Sequence, residues 1–223
     1  MERDPVRLGY GIEERVLEQA EITTLAFLLE GVARTRAGAR HLMTHPAVAH
    51  IASDPRLVSI ASRWLGGEAI PYKATLFDKS PDANWLVTWH QDTALPLRAR
   101  LDVPGWGPWS VKAGVTYAKA PAEALEGVIA LRLHLDDSDA TNGPLRVLPG
   151  SHRSGVLDQN QIQRLASTVP GVECLVERGG VIGMRPLLVH ASTKSSSGAP
   201  RRVLHIEYAR SLHPGPGLEL HVA

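Results

Sequence analysis

The feature that most constrains the fold is a change of pattern at Ala69, where helical periodicity ends and short alternating segments begin. Apolar residues recur at roughly helical spacing in residues 11–32, and residues 40–50 and 54–64 are predicted to be two shorter helices. Later segments alternate with the two-residue period of strands and are separated by Gly, Pro and Asn turns. Helices followed by many short strands predict a mainly β sandwich or barrel with a helical flank.

Two predicted strands carry polar residues on one face. In residues 128–136, Arg132 and His134 lie opposite an apolar face of one isoleucine and three leucines. Residues 72–78 place Lys73 and Thr75 on one face in the same way. A polar face on an otherwise buried sheet indicates a polar cavity inside the β fold. The remaining strands are predicted over residues 85–91, 145–148, 172–176, 181–190 and 202–208.

Residues 93–126 contain four prolines, three glycines and two tryptophans between two predicted strands. So long a segment rich in turn formers is uncommon unless it is functional, so it is predicted to be a lid or substrate loop. A packed surface excursion is the alternative. The chain is predicted to form a single domain, in which residues 1–68 are the helical flank, 69–212 the β core and 213–223 a peripheral tail.

The charge balance argues against partners that are recruited by bulk charge. The formal net charge is +1 at pH 7, so neither a nucleic-acid nor a membrane partner is predicted. The one cysteine, Cys174, excludes an intramolecular disulfide and a Cys-rich zinc site. No run approaches 18 apolar residues and no signal-peptide pattern opens the chain, which predicts a cytoplasmic protein.

A candidate metal site begins at residues 85–92, Trp-Leu-Val-Thr-Trp-His-Gln-Asp. On a strand, His90 and Asp92 point to the same side because they are two positions apart. His190, which ends an apolar strand before a Ser/Gly loop, is the candidate third ligand. Two imidazoles and one carboxylate leave coordination positions open and suit non-haem Fe(II) and its oxygen chemistry.

An arginine follows this set. Arg201 comes eleven positions after His190 and shares a strand face with His205 and Glu207. An arginine fork is the natural bidentate partner of a carboxylate. The order of H-x-D, a distal His and then Arg is the one expected of a 2-oxoglutarate-dependent oxygenase. Arg202 is the alternative, but strand alternation places it on the apolar face, so Arg201 is preferred.

Further motifs surround these residues. Residues 76–81, Leu-Phe-Asp-Lys-Ser-Pro, precede the His-Gln-Asp, and residues 142–152 read Asn-Gly-Pro-Leu-Arg-Val-Leu-Pro-Gly-Ser-His. Together with His190-Ala191-Ser192 and Arg201, they resemble the phytanoyl-CoA dioxygenase family over residues 72–208. The resemblance implies a double-stranded β-helix, or jelly-roll, with flanking N-terminal helices, which holds Fe(II).

Carried over residue by residue, the resemblance implies that His90, Asp92 and His190 are the iron ligands and the catalytic residues. Asp92 tells against the related halogenases, which have a small residue at this position. The implied co-substrate contacts are Arg201 at the distal carboxylate of 2-oxoglutarate, Ser192 at the same end, and Thr75.

Arg132 departs from the family pattern, since relatives often carry tryptophan there, and it suggests an extra cation near the substrate. Several cations around one pocket are costly to desolvate without an anion. We therefore predict a small substrate with an acidic group, held near Arg132 beneath residues 93–126. The alternative is that Arg132 pairs with Asp136 or another carboxylate of the protein. The candidate substrate contacts are Lys73, Trp109, Lys112 and Arg132.

The resemblance implies a non-haem Fe(II)- and 2-oxoglutarate-dependent dioxygenase that uses O2, hydroxylates a small molecule and releases succinate and CO2. Two alternatives stay open: an oxygenase of the same type that catalyses ring closure or desaturation, and a non-catalytic jelly-roll that binds a metal or ligand. A cupin-type enzyme is disfavoured because cupins generally use an H-x-H pair with a Glu.

Overall fold

Short antiparallel strands dominate the computed structural model, which describes residues 5–35, 38–80 and 83–223. Within these residues the strands are β1 (Tyr10–Glu13), β2 (Gly38–Arg40), β3 (Ile70–Lys79), β4 (Val87–His90), β5 (Ala94–Leu97), β6 (Trp109–Lys112), β7 (Val115–Lys119), β8 (Val128–His134), β9 (Leu145–Val147), β10 (Val172–Cys174), β11 (Val181–Met184), β12 (His190–Ser192) and β13 (Arg201–Ala209).

The strands form three sheets. A six-stranded sheet has the order β1-β11-β8-β13-β3-β2, a four-stranded sheet the order β10-β9-β12-β4, and a three-stranded sheet the order β5-β7-β6. Neighbouring strands are antiparallel throughout these sheets. The first two sheets face each other across a cavity that both line. The predicted fold class, a mainly β double-stranded β-helix with flanking helices, is confirmed.

The helices are α1 (Pro5–Leu8), α2 (Gln19–Leu28), α3 (Pro46–Ala52), α4 (Pro55–Leu65), α5 (Ala122–Glu126) and α6 (Gln159–Thr168), with 3-10 turns at Leu42–Thr44 and Ser151–Ser154. Asp54 caps α4, since its side chain accepts a hydrogen bond from the Arg56 amide. Apolar side chains of α2, α3 and α4 share one buried core with the outer faces of β8 and β13. In the described residues, no helix is long and apolar enough to cross a membrane.

Two of the predicted helices are wrong at their starts. Tyr10–Glu13 is a strand that pairs with β11 at the edge of the six-stranded sheet, so only Gln19–Leu28 is helical in residues 11–32. Within residues 40–50, the helix begins at Pro46, where proline suits the first helical position. Tertiary pairing at a sheet edge overrides helical periodicity here, because the backbone of β1 satisfies its hydrogen bonds with a neighbouring strand.

Residues 93–126 are ordered, and the alternative of a packed excursion describes them better than an irregular loop. They form the three-stranded sheet and α5. Leu95, Leu97 and Ala118 of this sheet pack in a buried cluster with Leu125. The segment nevertheless contributes to the wall of a cavity, as described below.

The C-terminal tail is not peripheral, which corrects that prediction. Leu218, Leu220 and Ala223 are buried. Backbone hydrogen bonds join Ala223 to β3, from the Ala223 amide to the Tyr72 carbonyl at 2.7 Å and from the Ala74 amide to the Ala223 carbonyl at 2.9 Å. The last residue of the motif at residues 76–81 lies outside the described residues.

The predicted alternation of β8 and β13 is confirmed and determines which side chains face inward. Their apolar face packs under the helices. On the inner face, the strand register aligns side chains in rows across β8, β13 and β3: Ala130 with Glu207 and Lys73, Arg132 with His205 and Thr75, and Arg201 with Lys79.

Candidate metal centre and its two cavities

The structure brings His90, Asp92 and His190 together. His90 and His190 are directly opposite each other on the paired strands β4 and β12. Nε2 of His90 lies 3.8 Å from Oδ1 of Asp92, and Nε2 of His190 lies 3.6 Å from Oδ2 of Asp92. One ligand atom of each residue lies within 4.8 Å of the others. The three predicted ligands therefore converge on one point.

Backbone carbonyls orient both imidazoles. Nδ1 of His90 donates to the Thr88 carbonyl at 2.8 Å, and Nδ1 of His190 donates to the Leu188 carbonyl at 2.9 Å. A carbonyl oxygen only accepts, so Nδ1 carries the proton and Nε2 presents its lone pair toward Asp92. This donor set, two directed imidazole nitrogens and one carboxylate, fits Fe(II).

The protonation states suit a metal site. Burial lowers the pKa of His190 to about 4, although Asp92 opposes the shift. Burial acts to raise the pKa of the Asp92 carboxyl, but the nearby His190 and His90 outweigh it and lower that pKa overall. Near neutral pH the imidazole of His190 is neutral and Asp92 is ionised, which are the forms that bind a cation.

Gln91 anchors the segment between the ligands, a role that the sequence analysis missed. Its Nε2 donates to the carbonyls of Gly155 and Leu187 at 2.9 and 2.7 Å, and its Oε1 accepts from the Leu157 amide at 2.8 Å. Strand alternation was the available signal, because it points Gln91 away from His90 and Asp92.

The motif at residues 142–152 lies beside the site and supports it. The Ser151 hydroxyl accepts a hydrogen bond from the Val189 amide at 2.8 Å, next to His190. The Asn142 carbonyl accepts from Nε of Arg201 at 3.3 Å. Gly143 has φ +69°, and a Cβ there would lie 2.5 Å from the Thr193 carbonyl oxygen, so a side chain does not fit.

A cavity of about 120 Å³ extends from the metal ligands to Arg201. Arg201 is 3% exposed, and burial, with a smaller contribution from Arg132, lowers its pKa to about 9. Arg202 points elsewhere and forms a bidentate pair with Asp136, with Nε–Oδ2 and Nη2–Oδ1 distances of 2.9 and 2.8 Å. The structure thus places Arg201, and not Arg202, in this cavity.

Ser192 also lines the smaller cavity, but its hydroxyl accepts a hydrogen bond from Nζ of Lys79 at 2.8 Å. Lys79 is 1% exposed, and burial beside Arg201 and Arg132 lowers its pKa to about 8. The sequence analysis missed Lys79, although its pairing with Arg201 follows from the strand register.

A larger cavity of about 430 Å³ opens on the other side of the metal ligands. Lys73, Thr75 and Lys112 line it, as does Arg40, which the sequence analysis missed. Side chains that line both cavities form the boundary between them: Phe77, Trp85, Val87, His90, Asp92 and His205.

The four predicted substrate contacts do not all line the larger cavity. Lys73 is neutralised, since its Nζ lies 2.6 Å from Oε1 of Glu207. Lys112 lies over the ring of Tyr117, with 4.9 Å from Nζ to the centroid. Arg132 lines the smaller cavity and not the larger one, whereas Trp109 lines neither. The alternative pairing of Arg132 with Asp136 is not observed, because Asp136 pairs with Arg202.

Several known proteins are similar to this chain. The family model described as phytanoyl-CoA dioxygenase (PhyH) matches residues 18–203. An L-proline trans-4-hydroxylase from Streptomyces griseoviridis is 26% identical over 183 residues, which cover 70% of this chain and 60% of the relative. The chain thus spans less than two thirds of the length of this curated relative.

Two solved structures share the fold. AviO1 from Streptomyces viridochromogenes Tue57 has a TM-score of 0.65 and 23% identity, over 91% of this chain and 90% of that chain. The non-heme alpha ketoglutarate dependent carbocyclase SnoK from nogalamycin biosynthesis has a TM-score of 0.71 and 20% identity, over 95% and 84%. With most of its residues matched by the family model, the chain belongs to the phytanoyl-CoA dioxygenase family.

Proposed function

We propose that the protein is an Fe(II)- and 2-oxoglutarate-dependent dioxygenase that hydroxylates a small molecule. The observation that carries this proposal is the convergence of His90, Asp92 and His190 in a cavity that also contains Arg201, with His90 and Asp92 lining a second, larger cavity as well. In this proposal the three residues hold iron, and Arg201 binds the distal carboxylate of 2-oxoglutarate. Iron with 2-oxoglutarate would supply the activation of dioxygen.

The chain's own contribution is placement. Backbone hydrogen bonds hold both imidazoles in the tautomer that a metal requires. The Ser192 hydroxyl accepts from Lys79 and donates to the Gly143 carbonyl at 3.2 Å, so in this proposal a carboxylate at the Arg201 end would replace that carbonyl as its acceptor. The larger cavity gives the substrate access to the metal face from the side opposite Arg201. Separate cavities would hold the co-substrate and the substrate beside the same metal ligands.

Hydroxylation is favoured over other outcomes because the curated relative is named as a hydroxylase. Ring closure is the second candidate, since one structural neighbour is named as a carbocyclase. A screen of small metabolites, scored by succinate release above the uncoupled background and by product mass, tests the proposal. A product heavier by one oxygen supports hydroxylation, and a product lighter by two hydrogens supports ring closure or desaturation. Absence of succinate release with every metabolite would favour a non-catalytic jelly-roll.

We also propose that the substrate carries an acidic group, which Lys112 and Arg40 bind in the larger cavity. Both side chains line it, and neither forms an ion pair with a carboxylate of the described residues. Lys73 is already neutralised by Glu207. Arg40 reaches the cavity because β2 pairs with β3 opposite Thr75.

The test uses the substrate identified by the screen. Lys112→Met should raise its KM about fivefold or more, while the KM for 2-oxoglutarate stays unchanged, because a partly exposed charge pair is worth about 1 kcal/mol. The matched control is Lys119→Met, which removes an exposed lysine outside both cavities. Equal KM values for Lys112→Met and Lys119→Met would contradict the acidic-substrate proposal.

A further inference from the structure

The smaller cavity contains two buried arginines, of which the proposed function uses one. Arg132 is 7% exposed and Arg201 is 3% exposed, and both line the cavity. Neither forms an ion pair with a carboxylate of the described residues. A buried cation without a counter-charge is costly, so two of them in one small cavity indicate an anionic ligand.

The hydrogen-bond partners of the two guanidinium groups leave donors unused. Nη1 of Arg132 lies 3.2 Å from Nδ1 of His205, and its Nε has no partner. Arg201 donates from Nε to a backbone carbonyl, and its Nη1 has no partner. Five donors in each fork and so few protein acceptors leave N–H groups free to bind carboxylate oxygens.

The surrounding residues supply little counter-charge. His134 is fully buried between the two arginines in the strand register, and burial together with Arg132 and Arg201 lowers its pKa well below the ordinary range. It therefore stays neutral. Arg132 lies 5.3 Å from the centroid of the Phe77 ring, a contact that compensates a guanidinium only partly. Asp92 is the carboxylate that acts on Arg132, and its charge is assigned to the metal.

The two arginines extend from different rows of the six-stranded sheet. Arg132 is opposite His205 on β13, whereas Arg201 is four residues earlier on that strand. Four residues of extended chain correspond to about 13 Å between the two backbone positions. His205 lines both cavities together with His90 and Asp92, so Arg132 belongs to the row beside the metal face.

We propose that Arg132 binds the 2-oxo acid end of the co-substrate, while Arg201 binds its distal carboxylate. The inference rests on the proposed function. Two arginines then match the two carboxylates of one dianion, and Arg132 is assigned to the co-substrate instead of the substrate.

Calorimetric titration of Mn(II)-loaded protein tests the proposal with two probes. One is 2-oxoglutarate, and the other is 2-oxobutanoate, which has the 2-oxo acid end but no distal carboxylate. Arg132→Leu should weaken the binding of both probes by a similar factor, about ten- to a hundredfold, because a charge-assisted hydrogen bond is lost in each case. Arg201→Leu should weaken 2-oxoglutarate by a similar factor and leave 2-oxobutanoate nearly unchanged.

The control variant is Arg164→Leu, which removes an exposed arginine on α6 far from both cavities. Arg132→Lys, which keeps the charge and the overall length, should bind both probes with intermediate affinity and serves if the leucine variant does not fold. Wild-type affinity of an Arg132 variant for 2-oxoglutarate, or a loss confined to 2-oxoglutarate, would overturn the inference. Failure of the wild-type protein to bind 2-oxoglutarate would overturn the proposed function, and the inference with it.

Discussion

The two cavities on either side of the metal face differ in how the least exposed of their charged side chains are compensated. In the larger cavity, partly buried Lys73 is matched by Glu207, whose carboxylate also accepts from the Tyr72 hydroxyl at 2.7 Å. In the smaller cavity, Arg132 and Arg201 are buried without such a match. A neutralised pair is part of the wall, whereas uncompensated charge indicates where a charged ligand binds.

The largest expected effect is that of a substitution at Asp92, which lines both cavities. Asp92→Ala should abolish turnover and metal binding, because it removes the one anionic ligand of the three. The fold should be retained, since the Asp92 side chain is open to the cavities and accepts no protein hydrogen bond shorter than 3.5 Å among the described contacts. Metal content, succinate release and a melting curve measure these outcomes. Wild-type turnover in this variant would refute the metal assignment, and Asp102→Ala is the surface control.

The next largest expected effect distinguishes Arg201, which lines the smaller cavity, from Arg202, which does not. Arg201→Ala should raise the KM for 2-oxoglutarate by about ten- to a hundredfold, because it removes a charge-assisted partner worth about 1.5–3 kcal/mol. Arg202→Ala should leave that KM unchanged, since Arg202 pairs with Asp136 outside the cavity. Initial rates at varied 2-oxoglutarate decide between them. The reverse result would mean that the co-substrate lies on the other face of β13.

In the larger cavity the expected effect is on stability. Glu207→Gln leaves Lys73 buried without its counter-charge and should reduce the free energy of unfolding by about 3 kcal/mol. The double variant Lys73→Met/Glu207→Gln should recover part of this loss, because no unpaired charge is left. Urea unfolding measures all three proteins. Equal stability of the wild type and the single variant would show that the pair is not the neutralising element inferred here.

The same pair predicts a pH dependence. Burial acts to raise the pKa of Glu207, but Lys73 and His205 outweigh it and hold that pKa well below the ordinary range of a glutamate. A carboxyl with a depressed pKa in the folded state stabilises the fold above its ordinary pKa and loses that contribution as the pH falls through the folded pKa. The wild type should therefore lose stability below about pH 5, and Glu207→Gln should lose less over the same range in urea unfolding at each pH.

The smallest expected effect is on the melting temperature of a variant at Arg132, in the smaller cavity. Without ligand, Arg132→Leu should melt at a slightly higher temperature than the wild type, corresponding to about 1 kcal/mol, because an uncompensated buried cation is replaced by an apolar group. Saturating 2-oxoglutarate should reverse the order, since it stabilises the wild type more. A lower melting temperature of the ligand-free variant would show that the protein itself compensates Arg132.

Much of this site was predictable from the sequence because it depends on strand alternation. The inward positions of Arg132 and Arg201 and the common face of His90 and Asp92 follow from a period of two residues. The division into two cavities was not predictable, because it depends on which strands become neighbours. Arg40 reaches the larger cavity only through the pairing of β2 with β3.

The same limit explains the errors in the fold. Residues 11–32 have helical periodicity, yet β1 forms because β11 offers it an open edge. Residues 93–126 carry the turn formers of a loop, yet their short strands are completed by pairing within the segment. Local patterns identify faces and turns, whereas strand order is fixed by contacts between residues far apart in sequence.

The two cavities are also built from different parts of the chain. Within the described residues, the smaller one is lined from the six-stranded and four-stranded sheets and the segments that adjoin them. The larger one adds side chains of the three-stranded sheet, among them Leu95, Lys112 and Tyr117. Replacing side chains of the hairpin at residues 109–119 would therefore alter the larger cavity and leave the lining of the smaller one unchanged. Under the proposed function, a new substrate could be accommodated by changes in this short segment while the surroundings of the co-substrate are kept.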